Sequence, residues 1–112
     1  MERIVLRREV LYVEFKIEAM DNSRQALDRL RSMFTDDIKS GHTNFWLDIS
    51  AVEYPSSVFV GTLAFMIKGV EDIGRVVVEG ATDVFKRTVR EASKELFNIT
   101  SILFIERKDA HV

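Results

Sequence analysis

Two adjacent serines, Ser56 and Ser57, hold the position in this 112-residue chain that best suits chemistry. They follow an apolar, β-favouring run that ends near Asp48 and a short polar turn, and a second apolar segment begins at Val58. A strand, a loop and a helix start in this order place hydroxyl groups beside backbone N–H groups that have no partner within the helix. The sequence therefore predicts a switch or a binding site within residues 44–61.

The surrounding residues do not favour catalysis by these serines. Neither Ser56 nor Ser57 lies in a G-x-S-x-G frame, and the chain has only two histidines, His42 and His111, which leaves no good general base. Neither histidine has a second ligand at a metal-binding spacing. Asp48 is interpreted as a strand-end carboxylate that caps the following loop, with the orientation of a catalytic group as the alternative. We therefore predict no enzyme activity, no metal site and no cofactor.

The composition is typical of a soluble globular protein. Hydrophobic residues make up 46% of the chain and charged residues 30%, and the net charge of −2 gives no general attraction to nucleic acid or anionic membranes. There is no cysteine, the longest apolar run, residues 58–67, is too short to span a membrane, and the first ten residues contain no apolar core of a signal peptide. We expect a cytoplasmic protein with one domain over residues 1–112, a core at about 10–105 and a short polar C-terminal tail.

Hydrophobic periodicity predicts the element order β-β-α-β-α-β-α-β. The predicted strands are 3–6, 10–17, 44–49, 75–79 and 102–105. The first predicted helix follows the N-cap candidates at 21–23 and ends near 38. The second follows the candidates at 56–57 and ends near 72, and the third follows the candidate at 82 and includes residue 96. Strands that alternate with helices of this length are typical of right-handed βαβ crossovers. The predicted fold class is therefore α/β, with a mostly parallel or mixed sheet flanked by helices.

In the order of its short motifs, the chain resembles the STAS domains, the sulfate-transporter and anti-sigma-factor antagonist family. Residues 47–50 (LDIS) are similar to a strand that ends in Leu-Asp-Leu-Ser in this family, and Ser56-Ser57 to the serines of its Asp-Ser-Ser-Gly motif. Residues 74–78 match its glycine and Val-rich strand, and 96–97 its closing Leu-Phe pair. The resemblance in element order covers residues 10–105 and implies a STAS-like fold.

The resemblance also implies a protein-interaction switch. In the bacterial antagonists of this family, an anti-sigma factor of the kinase type phosphorylates the first serine of the motif and a phosphatase restores it. The unphosphorylated form binds the anti-sigma factor and frees the sigma factor. The matching phosphoacceptor is Ser56, ahead of Ser57. Two residues depart from the family pattern: Pro55 replaces the usual Asp, and Val58 replaces the usual Gly, which removes a carboxylate and the backbone freedom of glycine.

Loops that cluster at one edge of the sheet are the expected contact surface. These loops are residues 19–23, 53–59 and 80–83. The loop at 53–59 is unusually apolar, which suits a partner hot spot. The alternative is that Val58 and Phe59 cover the core. The predicted partner-binding residues are Asp21, Asn22, Glu53, Tyr54, Pro55, Ser56, Ser57, Val58, Phe59, Thr82 and Asp83, with Asp48 in a supporting role.

Three hypotheses about function stay open. The first is an anti-sigma factor antagonist-like module of bacterial signalling and transcription regulation, which binds an anti-sigma factor serine kinase. The second is a STAS-like subunit of another signalling or lipid-transport assembly that is not phosphorylated. The third is a small ligand-binding or catalytic α/β protein with a pocket near Asp48 and Ser56.

Overall fold

Strands and helices alternate along the chain in the predicted order. The computed structural model describes residues 2–18, 23–52, 54, 56–92 and 102–105. The strands are β1 (Glu2–Arg7), β2 (Val10–Lys16), β3 (Asn44–Asp48), β4 (Arg75–Glu79) and β5 (Ile102–Ile105), and the helices are α1 (Arg24–Lys39), α2 (Ser57–Gly69) and α3 (Asp83–Ala92). The predicted α/β fold class is confirmed. The predicted Leu-Phe pair at 96–97 and the C-terminal tail lie outside the described residues.

The strands of the sheet are ordered as in the chain, β1-β2-β3-β4-β5. β1 is antiparallel to β2, and the other neighbouring strands are parallel. Right-handed crossovers between strands in this order put every connecting helix on the same face. Accordingly, Leu30 of α1, Leu63 of α2 and Phe85 of α3 belong to one buried cluster with Phe45 of β3. None of the described helices is long and apolar enough to cross a membrane.

The helix layer depends on a close crossing of α1 and α2. Ser23 is the N-cap of α1, and its Oγ accepts a hydrogen bond from the N–H of Ala26 at 3.3 Å. The buried face of the helix includes Leu27 and Phe34. A Cβ atom at Gly69 of α2 would lie 2.8 Å from Cζ of Phe34, which is closer than a normal contact. The glycine therefore lets the two helices approach over the centre of the sheet.

A smaller layer covers the opposite face of the sheet. Tyr12, Trp46 and Val77 form a second buried cluster there, and the Tyr12 ring meets the Trp46 ring edge-on with centroids 5.3 Å apart. The Trp46 Nε1–H donates a hydrogen bond to Oε1 of the buried Glu79 at 2.8 Å. The indole is therefore buried with its polar atom satisfied.

A buried carboxylate on β2 joins β1 to this second layer. Glu14 accepts charge-assisted hydrogen bonds from Arg3 and from Arg7, each at 2.7 Å. The Arg7 guanidinium also lies 4.1 Å from the centroid of the Trp46 ring. Because a buried charge needs partners, these contacts explain how β2 buries Glu14 on the sheet face opposite the helices.

The β1–β2 hairpin closes through Arg8 and Glu9, which have φ angles of 50° and 67°. Arg7 pairs with Val10 directly before and after this turn, so the loop has two residues. Two-residue hairpin loops with both residues at positive φ favour Asn-Gly, since glycine has no Cβ atom and the short polar side chain of asparagine tolerates the left-handed conformation better than other side chains. The hairpin therefore forms without the usual sequence signal.

Replacing Arg8-Glu9 by Asn-Gly is expected to raise the free energy of unfolding by about 1 kcal/mol or more, because the left-handed conformation is less strained in these residues. Urea unfolding followed by circular dichroism measures the change. The single variant Arg8→Ala, which keeps a Cβ atom at positive φ, is the control and is expected to gain nothing. A double variant no more stable than the wild type would contradict the role assigned to strain.

Two carboxyl groups meet where β1 begins and α1 ends. A hydrogen bond with Asp37, together with burial and the negative charge of Asp37, raises the pKa of Glu2 from 4.5 to about 7. Oδ2 of Asp37 is buried, and among the described residues no N–H or hydroxyl group donates to it. Protonation of Glu2 below its raised pKa therefore accounts for the close approach of the two carboxyl groups.

This pair predicts a pH-dependent stability. Since the pKa of Glu2 is higher in the folded state, the stabilisation is complete below the unfolded value of 4.5 and is lost as the pH rises through about 7. We expect the free energy of unfolding to fall more between pH about 5 and about 8 in the wild type than in Glu2→Gln. Urea titrations at the two pH values test this, with Glu9→Gln as the control. Equal pH dependence in wild type and Glu2→Gln would rule out the raised pKa of Glu2.

Candidate functional site

Ser56 is the N-cap of α2. Its backbone is extended, with φ −75° and ψ 164°, and its Oγ accepts a hydrogen bond from the N–H of Phe59 at 3.1 Å. Its carbonyl accepts the first helical hydrogen bond, from the N–H of Val60 at 3.1 Å. Ser56 is half-buried, and Ser57, the first helical residue, is exposed. The predicted arrangement of a serine hydroxyl among the N–H groups of a helix start is therefore present.

Asp48 shapes the loop that leads to Ser56. Its Oδ1 accepts two hydrogen bonds from Ser50, one from the backbone N–H at 3.0 Å and one from the hydroxyl at 2.7 Å. Val52 is buried, and its N–H donates to the carbonyl of Ile49 at 2.9 Å. The interpretation of Asp48 as a carboxylate that caps the loop behind its strand is confirmed.

The loop between β4 and α3 packs against the Asp48 loop. Gly80 has a φ of 82°, and a Cβ atom at this position would overlap the side chain of Ser50. Thr82 follows as the N-cap of α3, and its Oγ1 accepts a hydrogen bond from the N–H of Phe85 at 3.0 Å. The predicted capping role of Thr82 is confirmed. The contact between Gly80 and Ser50 was not predicted, because it depends on the spatial proximity of two loops that are far apart in the sequence.

Phe59 and Phe85 join the first turns of α2 and α3. Both rings are buried, and they meet edge-to-face with centroids 5.3 Å apart and an angle of 89° between their planes. Such pairs contribute about 0.5–1.5 kcal/mol beyond the burial of their area. The helix starts that Ser56 and Thr82 cap are thereby held together at one edge of the sheet.

The residues predicted to contact a partner differ in how far their side chains are exposed. Phe59 is only 2% exposed, so its prediction as a contact residue is wrong: its ring fills the core against Phe85. Val58 is half-buried and packs against the core. Asp21, Asn22, Glu53 and Pro55 lie outside the described residues. The exposed members of the predicted set are Tyr54, Ser57, Thr82 and Asp83.

Val58 lies within the first turn of α2, and its carbonyl accepts a hydrogen bond from Oγ1 of Thr62 at 2.9 Å. Its φ is not positive, so this position does not require the backbone freedom of glycine. The valine that replaces the glycine of the family pattern is therefore compatible with the helix start.

An open cleft of about 240 Å³ lies between β2 and α1. Its lining includes Phe15, Ile17 and Leu30. Neither Asp48 nor Ser56 lines it, so this cleft is not the pocket that the third hypothesis expects near those residues. Among the described residues, no group of three or more histidine or acidic side chains gathers as ligands for a metal ion.

Solved structures share this architecture at low sequence identity. An anti-sigma-factor antagonist (STAS) domain protein from Planctomyces limnophilus aligns with a TM-score of 0.66 at 14% identity, over 97% of this chain and 93% of that one. The chain has the STAS fold. The anti-sigma factor antagonist SpoIIAA in its unphosphorylated form aligns with a TM-score of 0.62 at 14% identity, over 99% of this chain and 94% of that one.

The phosphorylated form of SpoIIAA, a Bacillus cell fate determinant, aligns with a TM-score of 0.63 at 16% identity, over 99% of this chain and 96% of that one. No family model and no curated protein sequence matches the chain. The STAS fold implied by the order of the motifs is therefore confirmed through the three-dimensional arrangement of the elements.

The cap of α2 predicts the effect of substitutions at Ser56. Ser56→Ala is expected to lower the free energy of unfolding by about 1 kcal/mol, since it removes the acceptor for the N–H of Phe59. Ser56→Asn and Ser56→Asp are expected to stay within about 0.5 kcal/mol of the wild type, because both residues are good N-caps. Urea unfolding measures all three, with Ser57→Ala as the control. A loss at Ser57→Ala equal to that at Ser56→Ala would argue against the assigned cap.

Proposed function

We propose that this chain is a protein-binding module of the anti-sigma factor antagonist type, and that phosphorylation of Ser56 releases its partner. The observation that carries the proposal is the position of Ser56, a half-buried N-cap at the edge of the sheet next to the exposed Tyr54. The similarity of the fold to SpoIIAA, which is known in an unphosphorylated and a phosphorylated form, supports it.

A phosphate on Ser56 is compatible with the fold. It adds about −1.5 to −2 charges and three strong acceptor oxygens. The first N–H groups of α2 and the helix dipole stabilise an anion at this position, and the first turn of α2 contains no acidic side chain. The modification therefore changes the charge of the surface while the helix start stays formed.

The contact surface that we propose consists of the loops around this cap. Tyr54 is 65% exposed, which is unusual for a large aromatic side chain and suits an anchor in a partner pocket. Ser57, Thr82 and Asp83 are also exposed, at the starts of α2 and α3, and Asp83 is the acidic residue of this group. A partner that accommodates the neutral Ser56 hydroxyl close to Asp83 would be repelled by two further negative charges.

The remaining features of the proposal follow from this type of module. The partner is an anti-sigma factor that is also a serine kinase, a phosphatase reverses the modification, and the chain itself is not an enzyme. It acts in the bacterial cytoplasm, as one domain, in the regulation of transcription. Asp21, Asn22, Glu53 and Pro55 are included as further contacts because they belong to the same loops in the sequence.

Affinity capture with Ser56 variants that keep the N-cap of α2 distinguishes the effect of a negative charge on binding from an effect on folding. Immobilised wild type, Ser56→Asn and Ser56→Asp are incubated with a lysate of the source bacterium, and retained proteins are identified by mass spectrometry. We expect wild type and Ser56→Asn to retain an anti-sigma factor kinase and Ser56→Asp to lose it, because Asp keeps the cap but adds the charge. Retention by all three would indicate a STAS-like subunit whose binding is not switched at Ser56.

Modification of Ser56 is tested by incubation with the captured kinase and ATP, followed by intact-mass measurement. The wild type and Ser57→Ala are expected to gain the mass of one phosphate, and Ser56→Ala is expected to gain none. A mass gain that survives in Ser56→Ala, or no gain in the wild type, would contradict phosphorylation at Ser56.

A further inference from the structure

The outer edge of the sheet carries an apolar strip far from Ser56. Ile4 and Leu6 of β1 are 52% and 64% exposed, and Leu11 of β2 is 55% exposed. Leu6 pairs directly with Leu11, and Ile4 with the buried core residue Val13, so all three side chains lie on the face that the helices cover. β1 is the edge strand, and the exposure of these three side chains shows that the described helices leave them uncovered.

The backbone of β1 has a defined set of outward-facing groups. Arg7 and Val10 border the two-residue turn, and such a pair exchanges both of its hydrogen bonds across the hairpin. Because the pattern alternates, the N–H and C=O groups of Glu2, Ile4 and Leu6 point away from β2. Among the described residues, no strand pairs with this edge. Ile4 and Leu6 therefore combine an exposed apolar side chain with backbone groups that can hydrogen-bond to a further strand.

The edge lacks two of the features that usually prevent strand pairing, a bulge and a proline, and the only charged residue of β1 on the face of Ile4 and Leu6 is Glu2. The pairing of β1 with β2 runs from Glu2 to Arg7 without a bulge, and β1 contains no proline. Its cations, Arg3 and Arg7, lie on the opposite face and bind Glu14. The face that carries Ile4 and Leu6 therefore has no positive charge on β1 to repel another strand.

We propose that β1 pairs antiparallel with β1 of a second copy of this chain, about a two-fold axis at Ile4. In this register Ile4 lies opposite the same residue of the second copy, and Glu2 lies opposite Leu6, so every outward-facing residue exchanges two hydrogen bonds. The two sheets become one continuous sheet, and the apolar strips of both copies meet on its helix-covered face.

The positions of the arginines, as well as the hydrogen bonds, favour the register with the axis at Ile4. If the axis lay at Val5, Arg3 would stand opposite Arg7 of the second copy, and like charges directly opposite each other are destabilising. That register would also leave the outward groups of Glu2 unpaired. With the axis at Ile4, Arg3 stands opposite Val5, and the arginines stay with Glu14. The second copy is thus a partner that matches this edge in both backbone and side chains.

The oligomeric state of the full chain tests the proposal by sedimentation velocity over a wide range of micromolar concentrations. A single pair of edge strands buries less than a standard interface, so a dimer that dissociates on dilution is expected. Ile4→Lys is expected to be monomeric throughout, and the matched control Ile73→Lys, at an isoleucine that is 55% exposed, is expected to dimerise as the wild type does. A wild type that is monomeric at every concentration, or an Ile4→Lys variant that dimerises normally, would overturn the proposal.

Proline at position 4 tests the backbone contribution. Its N–H points outward, so Ile4→Pro removes no hydrogen bond to β2 and is tolerated by an edge strand. The variant is expected to unfold at a temperature near that of Ile4→Lys and to be monomeric. If Ile4→Pro stays folded and still dimerises like the wild type, pairing through β1 is wrong.

Cysteine cross-linking tests the register, because the chain has no cysteine of its own. Residues opposite each other in a hydrogen-bonded antiparallel pair have Cα atoms about 5.5 Å apart, within the range of a disulfide. Under mild oxidation Ile4→Cys is expected to form covalent dimers faster than Val5→Cys and Ile73→Cys. Faster cross-linking of Val5→Cys would overturn the axis at Ile4. Ser56→Asp is expected to dimerise like the wild type, which keeps this result separate from the partner-binding proposal.

Discussion

The helices of this protein cover one face of the sheet because the parallel strands follow one another in chain order. This constraint accounts for most of what is distinctive in the structure. The carboxyl ends of β2, β3 and β4 meet at one edge, where Ser56 and Thr82 cap the next helices. On the sheet face opposite the helices, the buried Glu14 forms an ion pair with arginine, and the buried Glu79 accepts a hydrogen bond from tryptophan. At the β1 edge of the sheet, a strip of apolar side chains stays exposed.

Periodicity was sufficient to predict the element order and most element boundaries. The alternation in β2 and the β-branched run of β4 persist in the fold because both patterns match the faces that the sheet buries. Asp48 and Thr82 were predicted correctly since capping depends on neighbours within a few residues. Together with the order of the STAS-like motifs, these local signals were sufficient to predict the fold class and the element order, but not the order of the strands in the sheet.

The features that the sequence did not predict depend on contacts between distant residues. Phe59 was predicted as a contact because it belongs to the unusually apolar loop that also contains Tyr54 and Val58, with coverage of the core as the alternative. Its burial against Phe85 shows that the alternative is correct for this residue. Arg8 and Glu9 carry no turn signal; the pairing of β1 with β2 imposes their conformation. Periodicity also does not predict the burial of Glu14, because Arg3 and Arg7 reach this residue only through the register in which β1 pairs with β2.

If Ser56 is the phosphoacceptor that we propose, one hydroxyl group would serve both the fold and its regulation. Its Oγ is the N-cap acceptor of α2, and the half-buried side chain keeps part of its surface exposed at the start of the helix. A phosphate attached there would bring oxygens that are stronger acceptors than the hydroxyl, so the first N–H groups of α2 would keep a partner. The modification that we propose would therefore not require the helix to unfold.

The position of Trp46 determines what can be learned from the optical spectroscopy of this protein. It is the single tryptophan of the chain, and it lies on the sheet face opposite the helices, under the Arg7 guanidinium and hydrogen-bonded to Glu79. Its fluorescence therefore reports whether β1, β2, β3 and β4 are assembled. Binding of a partner without tryptophan at the carboxyl edge is therefore expected to leave this emission unchanged as long as the surroundings of Trp46 stay the same.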